Sequence, residues 1–285
     1  MTAAGRYPGL VDMHSHSTAS DGGLSPGPLV EAALAAGLEA LALTDHDTVE
    51  GLPEFYLAGE EKGLTVLGGV EISLEHRGTL HLLGYDVSRS REIPAALERL
   101  KSFRLERNLK MLDVLGRQGY YLPWDQLLEL SGGGQMGRPH FAALLVEKGY
   151  CQSREEAFDR LLGKGRPGYV DKVRLTPEEG LAMLREAGWA PVLAHPVSLG
   201  LKADQYPEFL ARLADGGLVG LEVYHPSLSD EQSAFFLDLA GKLGLAPTAG
   251  SDFHGAGKPH INLDWVAKHS PLGLEMIEEL QSRLA

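Results

Sequence analysis

The chain has 285 residues, 44% of them hydrophobic and 23% charged, enough for one large domain or a barrel carrying an insertion, with no sign of pervasive disorder. Twenty-six Lys and Arg against 39 Asp and Glu give a formal charge of -13, which excludes a surface built to hold long duplex nucleic acid but allows a small anionic substrate in a locally cationic pocket. Cys151 is the single cysteine, which excludes an intrachain disulfide framework and a cysteine-rich zinc site; without a long apolar run, no membrane partner is expected and the expected location is cytoplasmic.

The opening VDMHSHS reads as a short strand running into a polar loop. Ser25 and Pro26 mark a helix start, and Leu29, Ala32, Ala33 and Ala36 supply its apolar stripe before Gly37. A buried strand, Leu38 to Thr44, stops at Asp45, His46 and Asp47. Helix-like sequence from Pro53 to Lys62 leads to a strand from Thr65 to Ile72 with Glu71 near its end, and Leu80 to Tyr85 is a further strand carrying His81.

The stretch 93–173 interrupts this pattern. Leu97, Leu100, Leu109 and Leu112 recur at roughly helical spacing, and Trp124 to Leu130, Pro139 to Lys148 and Arg154 to Leu162 predict three shorter helices. It is expected to be a helical insertion lying over or beside an active-site mouth, with 1–92 and 174–285 forming the main domain.

After it, Thr176 to Gly188 is a helix with Thr176 as cap and Pro177 at its first position, feeding a short strand Val192 to Ala194 before His195. A helix from Tyr206 to Asp215 feeds Val219 to Tyr224 and then His225, and one from Asp230 to Leu243 feeds Ala246 to Ala249 before Ser251, Asp252 and His254. This alternation predicts an α/β fold with a parallel sheet. Polar clusters at several strand exits fit a barrel with a strand-end active site, and an open doubly wound sheet is the alternative.

His14 and His16 alternate on an extended backbone and can face one metal. Asp21, His46, Glu71, His81, His195, Asp252 and His254 complete a set of nine imidazoles and carboxylates, a donor mixture suited to Mn, Zn or Fe. Nine donors exceed the needs of one ion, and two or three ions sharing bridging carboxylates, with Glu71 and Asp252 the better bridges, would use them. Packed carboxylates repel one another unless cations intervene.

The segments DMHSHSTASDG, LALTDHDTVEG, GVEIS, HLLGY, LAHP, LEVYHP and AGSDFHG together resemble the polymerase and histidinol phosphatase (PHP) family, in particular its small phosphoesterases that include nucleoside 3′,5′-bisphosphate phosphatases. The resemblance implies a distorted seven-stranded (β/α) barrel of PHP type with a helical insertion and a three-metal cleft. By it, His14, His16, Glu71 and Asp252 hold one ion, Glu71, His81 and His195 a second, and Asp21, His46 and His254 a third. Manganese is the expected metal, with iron and zinc as alternatives.

The expected chemistry is phosphate monoester hydrolysis by a metal-activated hydroxide, with assistance from Asp45 and His225. Ser15, Ser17 and Ser251 carry no nucleophile signature. Arg138, at a helix start, is the preferred phosphate contact, with His140, Lys172 and Arg174 as further candidates. The expected reaction removes the 3′-phosphate of a small nucleoside 3′,5′-bisphosphate such as pAp. The alternatives are 5′-to-3′ hydrolysis of short 5′-phosphorylated RNA, histidinol-phosphate hydrolysis, and a non-catalytic metal- or nucleotide-binding module.

Overall fold

The computed structural model describes residues 10–131, 136–171 and 174–284. Its strands are β1 (Val11–Asp12), β2 (Ala40–Leu43), β3 (Thr65–Leu74), β4 (Leu80–Tyr85), β5 (Ala190–Leu193), β6 (Gly220–Tyr224) and β7 (Ala246–Ala249). Its helices are α1 (Pro26–Ala35), α2 (Leu52–Lys62), α3 (Ala95–Arg117), α4 (Trp124–Ser131), α5 (Arg138–Glu147), α6 (Arg154–Ala157), α7 (Pro177–Glu186), α8 (Tyr206–Asp215), α9 (Asp230–Leu243), α10 (Trp265–His269) and α11 (Glu275–Leu284). None of the described helices is long and apolar enough to cross a membrane.

The strands form one seven-stranded sheet in sequence order. Backbone bonds from Met13 N–H to the Ala249 carbonyl (3.1 Å) and from Asp252 N–H to the His14 carbonyl (2.9 Å) carry β7 back to β1, so the sheet is a nearly closed barrel and not an open doubly wound one. Strands β1 to β3 and β5 to β7 run parallel, as the crossover helices require. The expected all-parallel sheet is corrected at β4, which is antiparallel to both β3 and β5. Only residues 75–79 separate β3 from β4, too short for a crossover, so the chain must fold back as a hairpin.

Helix termini follow their local chemistry. Thr176 accepts the Glu179 N–H while the Glu179 carboxylate accepts the Thr176 N–H, closing a capping box ahead of Pro177; Ser229 and Gln232 do the same for α9. The barrel interior is filled by small and branched residues, among them Val11, Ala42, Leu67, Leu83 and Val192, with Tyr85 donating its hydroxyl to the Met13 carbonyl at 2.6 Å. Helix α11, which is not among the elements expected from the sequence pattern, adds Met276, Ile277 and Leu280 to that core.

The chain divides into two compact units, 1–98 with 174–285, and 99–173. The second has its own core of Met111, Leu115, Phe141, Leu144, Leu145 and Leu162. On α3 the apolar register differs from the expected one: Leu109 is exposed, and Met111 and Leu115 face the core. The expected helix from Arg154 to Leu162 is α6 continued by a π-helical turn over Phe158–Leu162.

Candidate metal centre

Seven imidazoles and three carboxylates from the expected set, His225 among them, lie at one end of the barrel, most of them just past a strand end, with Glu71 inside β3 and Asp21 in the loop after β1. His14 and His16 follow β1, and His16 N–H donates to the Phe253 carbonyl while Thr44 N–H donates to that of Ser15, which pins this segment between the exits of β7 and β2. His46 follows β2, Glu71 lies within β3, and His195, His225 and Asp252 with His254 follow β5, β6 and β7. His81 is the second residue of β4, and only because that strand runs backwards does its start coincide with the ends of the others. Three non-glycine residues here have left-handed backbone: Asp47 (φ 49°), His195 (φ 26°) and Asp252 (φ 55°), a strain tolerated where function fixes a side chain.

Glu71 is the hub. Its Oε1 lies 2.6 Å from His81 Nδ1 and 2.9 Å from His195 Nε2. Its Oε2 lies 3.0 Å from His46 Nδ1 and 3.3 Å from both His14 Nε2 and His16 Nε2. Asp252 Oδ1 faces His16 Nε2 at 3.2 Å, His254 Nδ1 at 3.3 Å and His14 Nε2 at 3.6 Å. Asp21 closes the outer side, with Oδ1 3.3 Å from His254 Nε2 and 3.8 Å from His16 Nδ1, and Oδ2 3.9 Å from His46 Nε2. Four overlapping donor groups result: His16, Asp21, His46 and His254; His14, His16 and Asp252; His46, Glu71 and His81; and His14, Glu222 and His225.

The electrostatics show what such packing demands. Burial favours neutral His16, yet its contacts with Asp252 and Glu71 outweigh that and lift its pKa to about 9. His14 is likewise held well above the usual range against burial by Glu222, Glu71 and Asp252. Burial would raise Glu71 and Asp252, but the surrounding imidazoles hold both well below the usual carboxylate range. At His46 burial wins and the pKa falls.

Divalent ions fit this donor set. His14 Nε2, both ring nitrogens of His16, Glu71 Oε2 and Asp252 Oδ1 are buried without a hydrogen-bond partner, although they converge on one another. A metal with bonds of about 2.1 Å holds neighbouring ligand atoms roughly 3.0–3.4 Å apart, the spacing of most of these contacts. Nitrogen and carboxylate oxygen donors without thiolate suit manganese, iron or zinc.

Other expected residues are engaged elsewhere. Both oxygens of Asp45 accept from the segment Ser17–Ser20, so Asp45 braces the loop leading to Asp21. In the same loop Gly22 passes so close to the chain that a Cβ would meet the His16 carbonyl oxygen at 2.2 Å. Asp47 accepts from Ser73 N–H at 2.7 Å. Ser15 and Ser251 donate their hydroxyls to the Ala42 carbonyl (2.6 Å) and to Asp12 (2.5 Å), as expected of loop serines. His225 Nδ1 lies 2.7 Å from the Ser227 hydroxyl and 3.0 Å from the Ser227 backbone nitrogen, which turns Nε2 towards Asp252 Oδ2 at 3.4 Å.

Of the expected phosphate contacts, Arg138 opens α5 in the 99–173 unit and stacks over Tyr169 with its guanidinium carbon 5.4 Å from the ring centroid. His140 Nδ1 accepts the Gly137 N–H, capping the same helix. Arg174 is exposed, and Lys172 lies outside the described residues.

Sequence reasoning missed three residues. Glu222 is buried inside β6 and touches His14 Nδ1 at 3.0 Å. Asp12 accepts from the N–H groups of His14 (3.1 Å) and Ser251 (2.9 Å), and burial, partly offset by Ser251, raises its pKa to about 6. Lys258 pairs with Asp252. A lone carboxylate within an apolar strand, as in GLEVYH and LVDMH, was the available signal for the first two.

Residues 12–278 match the sequence profile of the PHP domain. The 3′,5′-nucleoside bisphosphate phosphatase of Chromobacterium violaceum is 30% identical over 96% of this chain and 97% of its own. A 5′-3′ exoribonuclease of Haemophilus influenzae is 31% identical over 85% of this chain and 89% of its own. A solved structure from Bifidobacterium adolescentis, 31% identical, superposes with a TM-score of 0.73 over 97% of both chains.

Proposed function

This chain belongs to the PHP domain family and is a metal-dependent phosphoesterase, and on that premise we propose that it removes the 3′-phosphate of a small nucleoside 3′,5′-bisphosphate such as pAp, leaving the 5′-monophosphate. The observation that carries the phosphoesterase chemistry is Glu71, whose two oxygens serve imidazoles on opposite sides as a bridging carboxylate does. The full-length similarity to the Chromobacterium violaceum phosphatase favours the substrate.

We assign His14, His16, Glu71 and Asp252 to one ion, Glu71, His81 and His195 to a second, and Asp21, His46 and His254 to a third, with manganese the first candidate. Bound ions of this kind activate water and neutralise charge on the phosphoryl oxygens. The chain's own residues then have three tasks. Asp45, through Ser17 and Ser20, holds the loop that presents Asp21. His225, with Nε2 3.4 Å from Asp252 Oδ2, stands where its ring can hydrogen-bond the departing 3′-oxygen. Lys258, anchored on Asp252, supplies a cation at the edge of the cluster for a phosphoryl oxygen. Arg138, with His140, Lys172 and Arg174 secondary, is assigned to the 5′-phosphate.

Phosphate release from pAp, histidinol phosphate and 5′-phosphorylated dinucleotides tests the substrate. The reading requires pAp to be turned over most efficiently. Similarity to the Haemophilus influenzae exoribonuclease favours a second reading, hydrolysis from the 5′ end of short RNA, and dinucleotide cleavage with negligible pAp turnover would replace the first by it. Lys258→Met should raise KM for pAp about tenfold, the loss of one charge-assisted contact, with metal content unchanged; an unaltered KM would remove Lys258 from substrate binding.

A further inference from the structure

Glu222 is fully buried in β6, and each of its oxygens reaches a different arm of the metal centre. Oε1 lies 3.0 Å from His14 Nδ1 beyond β1, and Oε2 accepts the His195 backbone N–H at 2.6 Å beyond β5. The pairing of β6 with β7 is irregular at this point, with Glu222 opposite Thr248 and Tyr224 opposite Ala249. Gly250 provides the room: a Cβ there would stand 2.2 Å from His14 Cβ and 2.8 Å from Glu222 Oε1.

We propose that Glu222 is a positioning residue that fixes the tautomer of His14 and the backbone of His195, and so governs two of the three ion sites without binding an ion itself. The inference rests on the metal assignment above. A carboxylate only accepts, so its contact places the His14 proton on Nδ1 and turns the Nε2 lone pair towards Glu71 Oε2 and Asp252 Oδ1, 3.3 and 3.6 Å away. The other tautomer would present an N–H to the ion. At His195 the same carboxylate secures the N–H of a residue held at φ 26°, from which Nε2 reaches Glu71 Oε1 at 2.9 Å. Neither Asp21, His46 nor His254 is among the hydrogen-bond partners of Glu222, so their ion is independent of it.

Glu222→Gln separates these contacts with little change of volume. An amide offers one acceptor and one donor where the site needs two acceptors. With its oxygen on the His195 N–H, the amide NH2 meets His14 Nδ1 and drives the proton to Nε2. In the opposite orientation the NH2 faces the His195 N–H.

Manganese bound per chain, measured by elemental analysis against free metal, should show one ion retained at wild-type affinity and the others weakened about 10–100-fold in the full-length variant. Nitrogen-15 spectra of the zinc-loaded wild type should show His14 protonated at Nδ1 and metal-bound at Nε2, a readout that decides the matter even if the variant does not fold. Unchanged loading of all ions in a folded Glu222→Gln, or a wild-type His14 bound through Nδ1, would overturn the proposal. A wild type that binds no divalent ion would instead overturn the metal assignment on which it stands.

Discussion

Glu71 Oε2 and Asp252 Oδ1 each face ring nitrogens of both His14 and His16, at 3.2–3.6 Å and out of contact with water. With no cation, the imidazoles must carry protons to balance these carboxylates. The pKa of His16, about 9 in the fold against about 6.5 free, means that its stabilising proton is fully present below pH 6.5 and lost as pH rises through 9. The carboxylates, held low, contribute above their free pKa near 4 and lose that contribution only in acid, so they do not act in this window. Metal-stripped protein should therefore melt at progressively lower temperature as pH rises from 6.5 to 9, His14 and His195, which are also raised, acting in the same direction, and saturating metal should flatten the profile. A flat profile for stripped protein would show that the buried imidazoles of this cluster are not charged. Asp252→Ala and His14→Ala should each abolish activity through loss of metal, measured as ions per chain beside turnover; near-normal turnover with full metal content would contradict their roles.

At the scale of elements, helix α11 closes the barrel interior with Met276, Ile277 and Leu280, all buried. Leu280→Ala should cost about 2–5 kcal/mol by leaving a cavity, read as a drop in the denaturation midpoint, with ions bound per folded chain unchanged. A change below 0.5 kcal/mol would mean that the helix is not part of the cooperative core. The helix was readable from Met276, Ile277 and Leu280 at helical spacing with Glu275 in its first turn and Arg283 in its last. The strands β2, β3, β5, β6 and β7 were legible because each is a short apolar run that follows a helix-like segment and carries a histidine or acid within it or just after it. Strand β4 was legible as a strand but not in direction, since LHLLGY has the same pattern either way; the five-residue link from β3 carried the missing information. The metal-facing residues could be read because histidines and acids stand out at strand exits. Glu222 and Asp12 could not be assigned because their roles depend on partners distant in sequence, 208 positions for Glu222 with His14 and 239 for Asp12 with Ser251, and Lys258 because a lone lysine in a loop carries no sign of its pairing with Asp252.

Across the whole molecule, the formal charge of -13 sets a barrier that an anionic substrate overcomes only where charge is locally reversed. In the proposed function divalent ions held by the donor cluster, with Lys258 beside them, would provide that reversal next to carboxylates that otherwise repel a phosphate. Removing the ions should then abolish substrate binding as well as turnover: by calorimetry, metal-stripped protein should show no detectable affinity for a non-hydrolysable pAp analogue that the loaded protein binds. Comparable binding by both forms would place recognition elsewhere. The central claim, that residues from His14 to His254 converge to bind several ions, is tested most directly by anomalous diffraction at the manganese edge from crystals grown with manganese. The account predicts three peaks, two of them sharing Glu71 as a ligand. Full manganese in the crystal with no peak among His14, Glu71, His195 and Asp252 would contradict it.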